Sequence, residues 1–262
     1  MKVSFVKWRT GDAVECTVGK QTLLIGISAG PRIRSFTFNG GENILYEDNT
    51  GFGVGDWKMY GGHRFTTAPE NEESYYPDNE PCKVSVEDSV VKIFAMPRPN
   101  GISLSLEITE SLHEGFDINH VLLNKGPLHW EGALWAITCV PRSARLLASC
   151  ETGNIHFWPG TDASKWNRVN GVLTVEDGGF RGKAGWYSTC PKLVSISKQG
   201  KLIISSPVLS DPALCVDDGS NAEIFVCAEH AELETLSEKF LVPGGGSVFH
   251  QQHWQFHPSP EE

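Results

Sequence analysis

Apolar residues at every second position are the feature of this sequence that most constrains its fold. In residues 102–109, ISLSLEIT, apolar and polar residues alternate, and residues 116–122 repeat the pattern. Successive side chains of a β-strand point to opposite faces, so each segment predicts a strand with one buried face. Residues 84–93 and 193–204 predict strand pairs joined by short polar turns. The best helical signal, residues 162–170 with Asp162 as the cap, predicts only one or two turns. The pattern therefore predicts an all-β fold built as a large sandwich.

Length and composition limit the domain count and the classes of partner. The chain has 262 residues, and all-β folds of this size are often one domain. No internal repeat or low-complexity linker divides it, so we interpret residues 1–262 as a single domain. The formal net charge is −10 and there is no block of basic residues. We therefore expect neither nucleic acid nor an anionic membrane as a partner.

The N-terminal residues, the lack of a long apolar run and the cysteines indicate the cellular compartment. Residues 1–9 read as a strand, because they lack the apolar core of a signal peptide. No run approaches the ~20 apolar residues of a membrane helix. The seven cysteines include no Cys-x-x-Cys pair, so neither a zinc site nor a disulfide framework is indicated. We expect a reduced, cytoplasmic protein without a metal or cofactor. Its oligomeric state is not indicated by the sequence.

Two glutamates near the C-terminus form the most informative polar pair. Glu232 and Glu234 follow the apolar segment 224–227. Residues two apart on a strand share one face, so both carboxylates point to the same side. Such a pair either lies on a solvated face or supplies a general base on a concave sheet.

The segment from residue 47 to residue 81 shows no periodicity and is predicted to be a long loop. A loop of this length in a compact domain usually either carries function or is a misread structural element. Within it, residues 61–64, GGHR, and residues 75–79, YYPDN, combine glycine or proline with charged and aromatic side chains. Glycine allows close backbone approach, so we expect both motifs to contact a ligand.

Together, these motifs resemble the galactose mutarotase-like (aldose 1-epimerase) superfamily over about residues 26–256. Members share a β-supersandwich whose concave sheet binds sugar rings. The resemblance therefore implies a small-molecule carbohydrate as the partner. The matching segments are GPRIRSF at 30–36, NILY at 43–46, GGHR at 61–64, NKG at 124–126, Trp135, ELE at 232–234, PG at 243–244 and Trp254.

The resemblance also implies a glutamate base and a histidine acid. In mutarotation the base removes the anomeric hydroxyl proton while the acid protonates the ring oxygen. Glu234 is the preferred base because its spacing to the Pro-Gly segment fits best. Glu232, on the same face, is the fallback and a substrate-binding candidate.

The acid is where this chain departs from the family pattern. The central strand carries Trp135 where the resemblance leads us to expect a histidine. A tryptophan cannot supply the proton, but it can stack on a sugar. His63 is the leading substitute acid, unless it is a loop histidine bonded to backbone. Arg64 is expected to donate to sugar hydroxyls or a carboxylate, unless it pairs with the nearby acidic cluster. Asp78 is expected to hold hydroxyls or orient Arg64, unless it is a turn residue.

Three functions stay open at this point. The first is an aldose 1-epimerase-like enzyme, and the second is a sugar-binding protein without turnover. The third is a hydrolase or lyase, which calls for a second carboxylate roughly 5–10 Å from Glu234. A metal site at His250 and His253 is not expected, because residues three apart on a strand face opposite sides.

Overall fold

The computed structural model describes residues 1–9, 11–151, 154–209 and 211–259. Most of its regular structure is β-strand, as the alternation predicts. The strands are β1 (Lys2–Trp8), β2 (Gly11–Val18), β3 (Gln21–Gly26), β4 (Arg32–Phe38), β5 (Gly53–Val54), β6 (Trp57–Lys58), β7 (His63–Ala68), β8 (Lys83–Glu87), β9 (Val90–Phe94), β10 (Ile102–Glu110), β11 (Phe116–Asn124), β12 (Trp130–Pro141), β13 (Arg145–Ser149), β14 (Ile155–Phe157), β15 (Trp166–Val169), β16 (Val172–Val175), β17 (Gly182–Trp186), β18 (Lys192–Ser197), β19 (Gly200–Ser205), β20 (Ala222–Val226), β21 (His230–Leu236), β22 (Phe240–Val242) and β23 (Ser247–Pro258). The short 3₁₀ helices are Glu72–Tyr75, Ala163–Lys165 and Pro212–Leu214.

Two large antiparallel sheets contain nearly all of these strands. The first, which we call the site sheet, runs β1-β2-β3-β4-β7-β12-β21-β20-β17-β14, and β22 also pairs with β12. The second, which we call the back sheet, runs β15-β16-β13-β18-β19-β23-β11-β10-β9-β8. This architecture confirms the predicted all-β sandwich. Within the described residues, no helix has the length and apolar character to span a membrane.

The core lies between the two sheets and is rich in aromatic rings. Phe36 of the site sheet contacts Phe116, Trp254 and Phe256 of the back sheet, with ring centroids 5.9–6.0 Å apart. All four side chains are almost completely buried. Aromatic pairs of this kind add about 0.5–1.5 kcal/mol beyond the burial of their surface. The rings therefore help to fix the sheets face to face.

The short-range predictions hold in two places and need refinement in a third. β10 and β11 have the predicted alternation and pair directly. β8 and β9 form the predicted hairpin, whose turn residues Asp88 and Ser89 both have positive φ, as tight hairpin turns require. In residues 162–170 only Ala163–Lys165 is helical, with the Asp162 side chain accepting from the Ser164 amide. Strand β15 follows at once.

The prediction of a long loop over residues 47–81 is wrong. This segment contains the small β5–β6 hairpin and β7, which pairs with the central strand β12 in the register His63 to Thr138. Five of the six β7 residues are buried. A strand covered on both faces has no reason to alternate apolar with polar residues, so the period-2 signal is absent.

Buried histidines connect the two sheets beneath β7. The Nδ1 of His120 lies 2.9 Å from the carbonyl oxygen of His250, which accepts, so this nitrogen carries the proton. The Nε2 of His120 therefore accepts from the Nε2 of His63 at 2.7 Å, and the Nδ1 of His63 accepts from the Thr138 hydroxyl at 2.9 Å. The Nε2 of His250 lies 2.7 Å from the Thr235 hydroxyl oxygen. Burial lowers the pKa of His120 to about 4, that of His250 to about 3, and that of His63 well below its ordinary value.

We expect these neutral histidines to make the folded state sensitive to acid. Below pH ~6.5 these histidines become protonated in the unfolded chain but stay neutral in the folded protein. The free energy of unfolding therefore falls as pH drops from ~6.5 towards the pKa values of the folded state. The slope is up to about 1.4 kcal/mol per pH unit for each histidine. Urea unfolding between pH 7.5 and 4.5 measures it. His120→Gln should flatten the slope, whereas His129→Asn, at an exposed loop position, should keep it. Equal slopes in the native chain and His120→Gln would contradict this account.

Candidate functional site

The outer face of the site sheet, the side away from the core, collects the polar side chains of several central strands. On β21, Ala231 and Leu233 pack in the core, so Glu232 and Glu234 point outward. Glu234 stands opposite Ile137 of β12 and Glu223 of β20. We call this surface the site face. Its ionisable members include Arg64, Lys183, Glu223, His230, Glu232 and Glu234.

Glu234 is fully buried and held by two donors. Its Oε2 accepts from the Trp135 indole N–H at 2.8 Å and from Lys183 Nζ at 2.9 Å. Lys183 Nζ also lies 2.7 Å from Oε2 of Glu223, whose side chain is fully buried too. One ammonium group thus serves two carboxyl groups on neighbouring strands.

The charges of this cluster do not balance if both carboxyl groups ionise. Burial raises the pKa of Glu234 and raises that of Glu223 well above its usual range, against the opposing effect of Lys183. Burial alone would lower the pKa of Lys183, but Glu234 and Glu223 outweigh it and raise the pKa. The lysine therefore stays charged, and a proton retained by the glutamate pair avoids burying a second unpaired negative charge.

Trp135 positions Glu234 and does not offer an open stacking face. Its side chain is only 3 % exposed, and Lys183 Nζ lies 4.5 Å from its ring centroid. The guanidinium carbon of Arg64 lies 5.9 Å from the same ring. A sugar cannot stack on Trp135 in this arrangement, so the expected platform role does not fit.

Glu232 is the accessible carboxylate of the site face. Its side chain is 19 % exposed, and its Oε1 lies 3.6 Å from Nε2 of His230. Burial alone would raise the pKa of Glu232, but the nearby His230 and the positive charges of Arg64 and Lys183 outweigh it and lower the pKa. Glu232 is therefore ionised at neutral pH. His230 is held by stacking on Tyr46, with ring centroids 5.0 Å apart.

The side chain of Arg64 reaches the site face. Its Nη1 donates to the Ser74 carbonyl at 3.2 Å, and its guanidinium carbon lies 5.2 Å from the Trp57 ring and 5.8 Å from the Tyr75 ring. Among the described residues no carboxylate oxygen lies within 4 Å of it, so the alternative ion pair with the acidic cluster at residues 70–73 does not form.

His63 and Asp78 lie elsewhere. Because β7 is a strand, His63 points opposite to Arg64, into the space between the sheets, where it is fully buried and bonded to His120. The assignment of His63 as the general acid does not fit this position. Asp78 forms an ion pair with Arg98 at 2.8 Å, so it neither orients Arg64 nor joins the glutamates.

Three residues of the site face were missed by the sequence analysis. His230 shares a face with Glu232 and Glu234, so extending that same-face pattern by one step would have found it. Glu223 is a lone acid in the apolar strand β20, which was a usable signal. Lys183 had no local signal, because its partners come from strands β20 and β21.

Comparison with known proteins identifies the fold. No family model matches the sequence, and no curated protein does either. A galactose mutarotase-like protein from Lactobacillus casei aligns with a TM-score of 0.66 at 11 % identity, covering 94 % of this chain and 100 % of that one. This chain has the galactose mutarotase-like fold. A galactose mutarotase-like protein from Clostridium acetobutylicum aligns with a TM-score of 0.61 at 10 % identity, covering 98 % and 99 %. The galactose mutarotase related enzyme from Lactobacillus acidophilus gives 0.60 at 8 % identity, covering 94 % and 97 %. At such identities the likeness shows the fold, and the chemistry must be argued from the site.

We expect Lys183→Met to destabilise the protein, because it leaves two buried carboxyl groups without their cation. The free energy of unfolding should fall by on the order of 3 kcal/mol at pH 8. The loss should be smaller at pH 5. A glutamate whose pKa is raised on folding stabilises the folded state while it is protonated, and this contribution is lost as pH rises. Urea unfolding at both pH values measures the effect, with the exposed Lys201→Met as the control. A loss independent of pH would show that the lysine does not neutralise the pair.

Proposed function

We propose that this protein binds a sugar on the site face and acts as an aldose 1-epimerase-like enzyme with a glutamate base. The observation that carries the proposal is the row His230, Glu232 and Glu234 on one face of β21, in which Glu232 is both ionised and accessible. The galactose mutarotase-like fold of the chain supports a carbohydrate ligand. A cytoplasmic location stays a prediction.

We assign the base to Glu232, the fallback of the sequence analysis, in preference to Glu234. A base must reach the proton that it removes, and Glu232 has exposed surface whereas Glu234 has none. Glu234 is also engaged by Trp135 and Lys183. Its role in this proposal is to hold those two side chains in place.

We assign the acid to His230. The anomeric hydroxyl and the ring oxygen are bonded to the same carbon, so the base and the acid must lie close together. His230 Nε2 and Glu232 Oε1, which are 3.6 Å apart, meet this requirement. The other ring nitrogen, Nδ1, lies 3.2 Å from Sγ of Cys227, which leaves Nε2 for the substrate.

The reaction then follows from these two groups. Glu232 takes the proton of the anomeric hydroxyl while His230 gives a proton to the ring oxygen, and the ring opens to the aldehyde. After rotation about the bond to the aldehyde carbon, the two transfers run backwards and close the ring as the other anomer. Arg64, which has no carboxylate oxygen within 4 Å among the described residues, donates hydrogen bonds to sugar hydroxyls in this proposal.

The test is proton NMR of freshly dissolved α-anomers of hexoses, pentoses, uronates and hexose 6-phosphates. The protein should speed anomer exchange, and Glu232→Gln should slow it at least ~100-fold, the lower end of acid–base contributions. Glu87→Gln, at an exposed position on the back sheet, is the matched control and should be fully active. Full activity in Glu232→Gln with loss in Glu234→Gln would return the base to Glu234.

A sugar-binding protein without turnover is the second candidate. Two observations favour it: His63 is enclosed between the sheets, and β12 presents Trp135, Ile137 and Cys139 to the site face where the resemblance led us to expect a histidine. Line broadening of a sugar without faster exchange would support this function. Hydrolase or lyase chemistry, which needs a second available carboxylate, is less well supported. Glu223 and Glu234 both pair with Lys183, and Asp78 forms its own ion pair with Arg98.

A further inference from the structure

Three aromatic side chains in mutual contact border the site face, and the proposed reaction uses none of them. Trp57 of β6 lies in the middle. Its ring centroid lies 6.4 Å from that of Phe52 and 5.3 Å from that of Tyr75, and both pairs of rings are nearly perpendicular. Phe52 directly precedes the β5–β6 hairpin, and Tyr75 ends the 3₁₀ helix Glu72–Tyr75. We call these three rings the aromatic wall.

The inner side of the aromatic wall adjoins the proposed base and acid. Trp57 belongs to one cluster of packed apolar side chains with Cys139 and Tyr46. Cys139 is the cross-strand partner of Glu232, and its Sγ lies 3.8 Å from the Oε1 of that residue. Tyr46 stacks on His230. The wall therefore begins at two side chains that contact the reacting pair.

The exposure of the rings rises from the centre of the aromatic wall to its ends. Trp57 is 7 % exposed, Tyr75 is 37 % exposed and Phe52 is 57 % exposed. The guanidinium group of Arg64 lies over Trp57 and Tyr75 and covers part of these two rings. Phe52 therefore presents the largest free aromatic surface of the wall.

The loop that carries Phe52 is tied in place at both ends. Asp48 Oδ2 accepts from the Phe52 amide at 2.9 Å, and Asp48 Oδ1 accepts from the amide and the hydroxyl of Thr50 at 3.1 and 2.7 Å. In the hairpin turn, the Asp56 carbonyl accepts from the Asn79 side chain at 2.7 Å. A ring that is positioned before its ligand arrives loses little further freedom on binding.

A surface of this kind fits a sugar ring. A single exposed phenylalanine is ordinary at a protein surface, but contiguous exposed rings beside a ligand site indicate a contact surface. Flat aromatic rings stack on the apolar C–H face of a sugar. Glu232 and His230 act on the ring that carries the anomeric hydroxyl. Because Trp57 lies between Phe52 and the cluster at the reacting pair, a sugar stacked on Phe52 is a second ring beyond the one that reacts.

We propose that the substrate is a reducing oligosaccharide whose second sugar ring stacks on Phe52. The inference rests on the proposed function, because the reducing-end ring is the one on which Glu232 and His230 act. Tyr75 supplies a second aromatic contact at the other end of the wall. The aromatic wall then provides binding energy remote from the reacting carbon, which a monosaccharide cannot use.

Isothermal titration calorimetry tests the proposal with glucose, galactose and mannose, and with disaccharides that carry each of them at the reducing end (maltose, cellobiose, galactobiose and mannobiose). At least one disaccharide should bind roughly 3- to 10-fold tighter than its own reducing-end monosaccharide, as expected of one aromatic contact. Phe52→Ala should remove this preference and keep the Kd of the monosaccharide. Phe249→Ala, at an exposed position of β23 on the back sheet, is the matched control and should keep both values.

The outcomes separate this proposal from the proposed function. Equal affinity for every disaccharide and its monosaccharide, or a preference that survives in Phe52→Ala, would overturn the oligosaccharide proposal and leave the proposed function standing. The absence of binding by any of these saccharides would overturn both. Sedimentation velocity tests a different occupant, a second copy of the chain. A dimer that Phe52→Ala converts to a monomer would assign the ring to that interface and would also overturn the proposal.

A second measurement uses the native chain, so it does not depend on a variant. In saturation-transfer difference NMR with irradiation of the aromatic protons, the non-reducing ring of the preferred disaccharide should receive saturation. Saturation confined to the reducing-end ring would contradict stacking of the second ring on Phe52.

Discussion

The pleat of three adjacent strands, β7, β12 and β21, is the constraint on which the rest of the structure depends. It sends successive side chains to opposite sides of the site sheet, so each position belongs either to the core or to the site face. On β7 it separates Arg64 from His63, and on β21 it separates Glu234 from Thr235. A shift of one residue in this register would bury the carboxylates in the aromatic core and expose the histidines.

The two faces of these strands differ in how their polar side chains are charged. Between the sheets, polar groups are neutral and satisfy one another, because His63, His120 and Thr138 form a chain of hydrogen bonds. On the site face, charges are retained and are only partly balanced. The Lys183 cluster keeps its net charge low by sharing one cation, whereas Glu232 remains ionised at the surface. An ionised, accessible carboxylate beside a buried pair that retains a proton is the kind of contrast found at functional sites.

On the neighbouring strand β4, two arginine side chains contact aromatic rings. Arg34 lies between the rings of Trp8 and Tyr60, with both ring centroids 4.9 Å from its guanidinium carbon. Arg32 also lies over the Tyr60 ring, with the ring centroid 4.8 Å from its guanidinium carbon, but has no acid within ion-pair distance among the described residues. Aromatic faces partly compensate a guanidinium, yet they offer no lone pairs to a buried N–H.

The residue pattern was sufficient for the all-β class, for strands such as β10 and β11, and for the shared face of Glu232 and Glu234. These are local properties, because the period of a strand is written into its own segment. It was not sufficient for β7, whose two covered faces remove the alternation, so His63 was taken for a loop residue able to reach a substrate. Nor did it show that Lys183 joins Glu223 to Glu234, since those contacts are made between strands that lie far apart in the chain. Which strands become neighbours is decided by packing of the whole sandwich, and that packing places the ionised Glu232 beside His230 and Arg64.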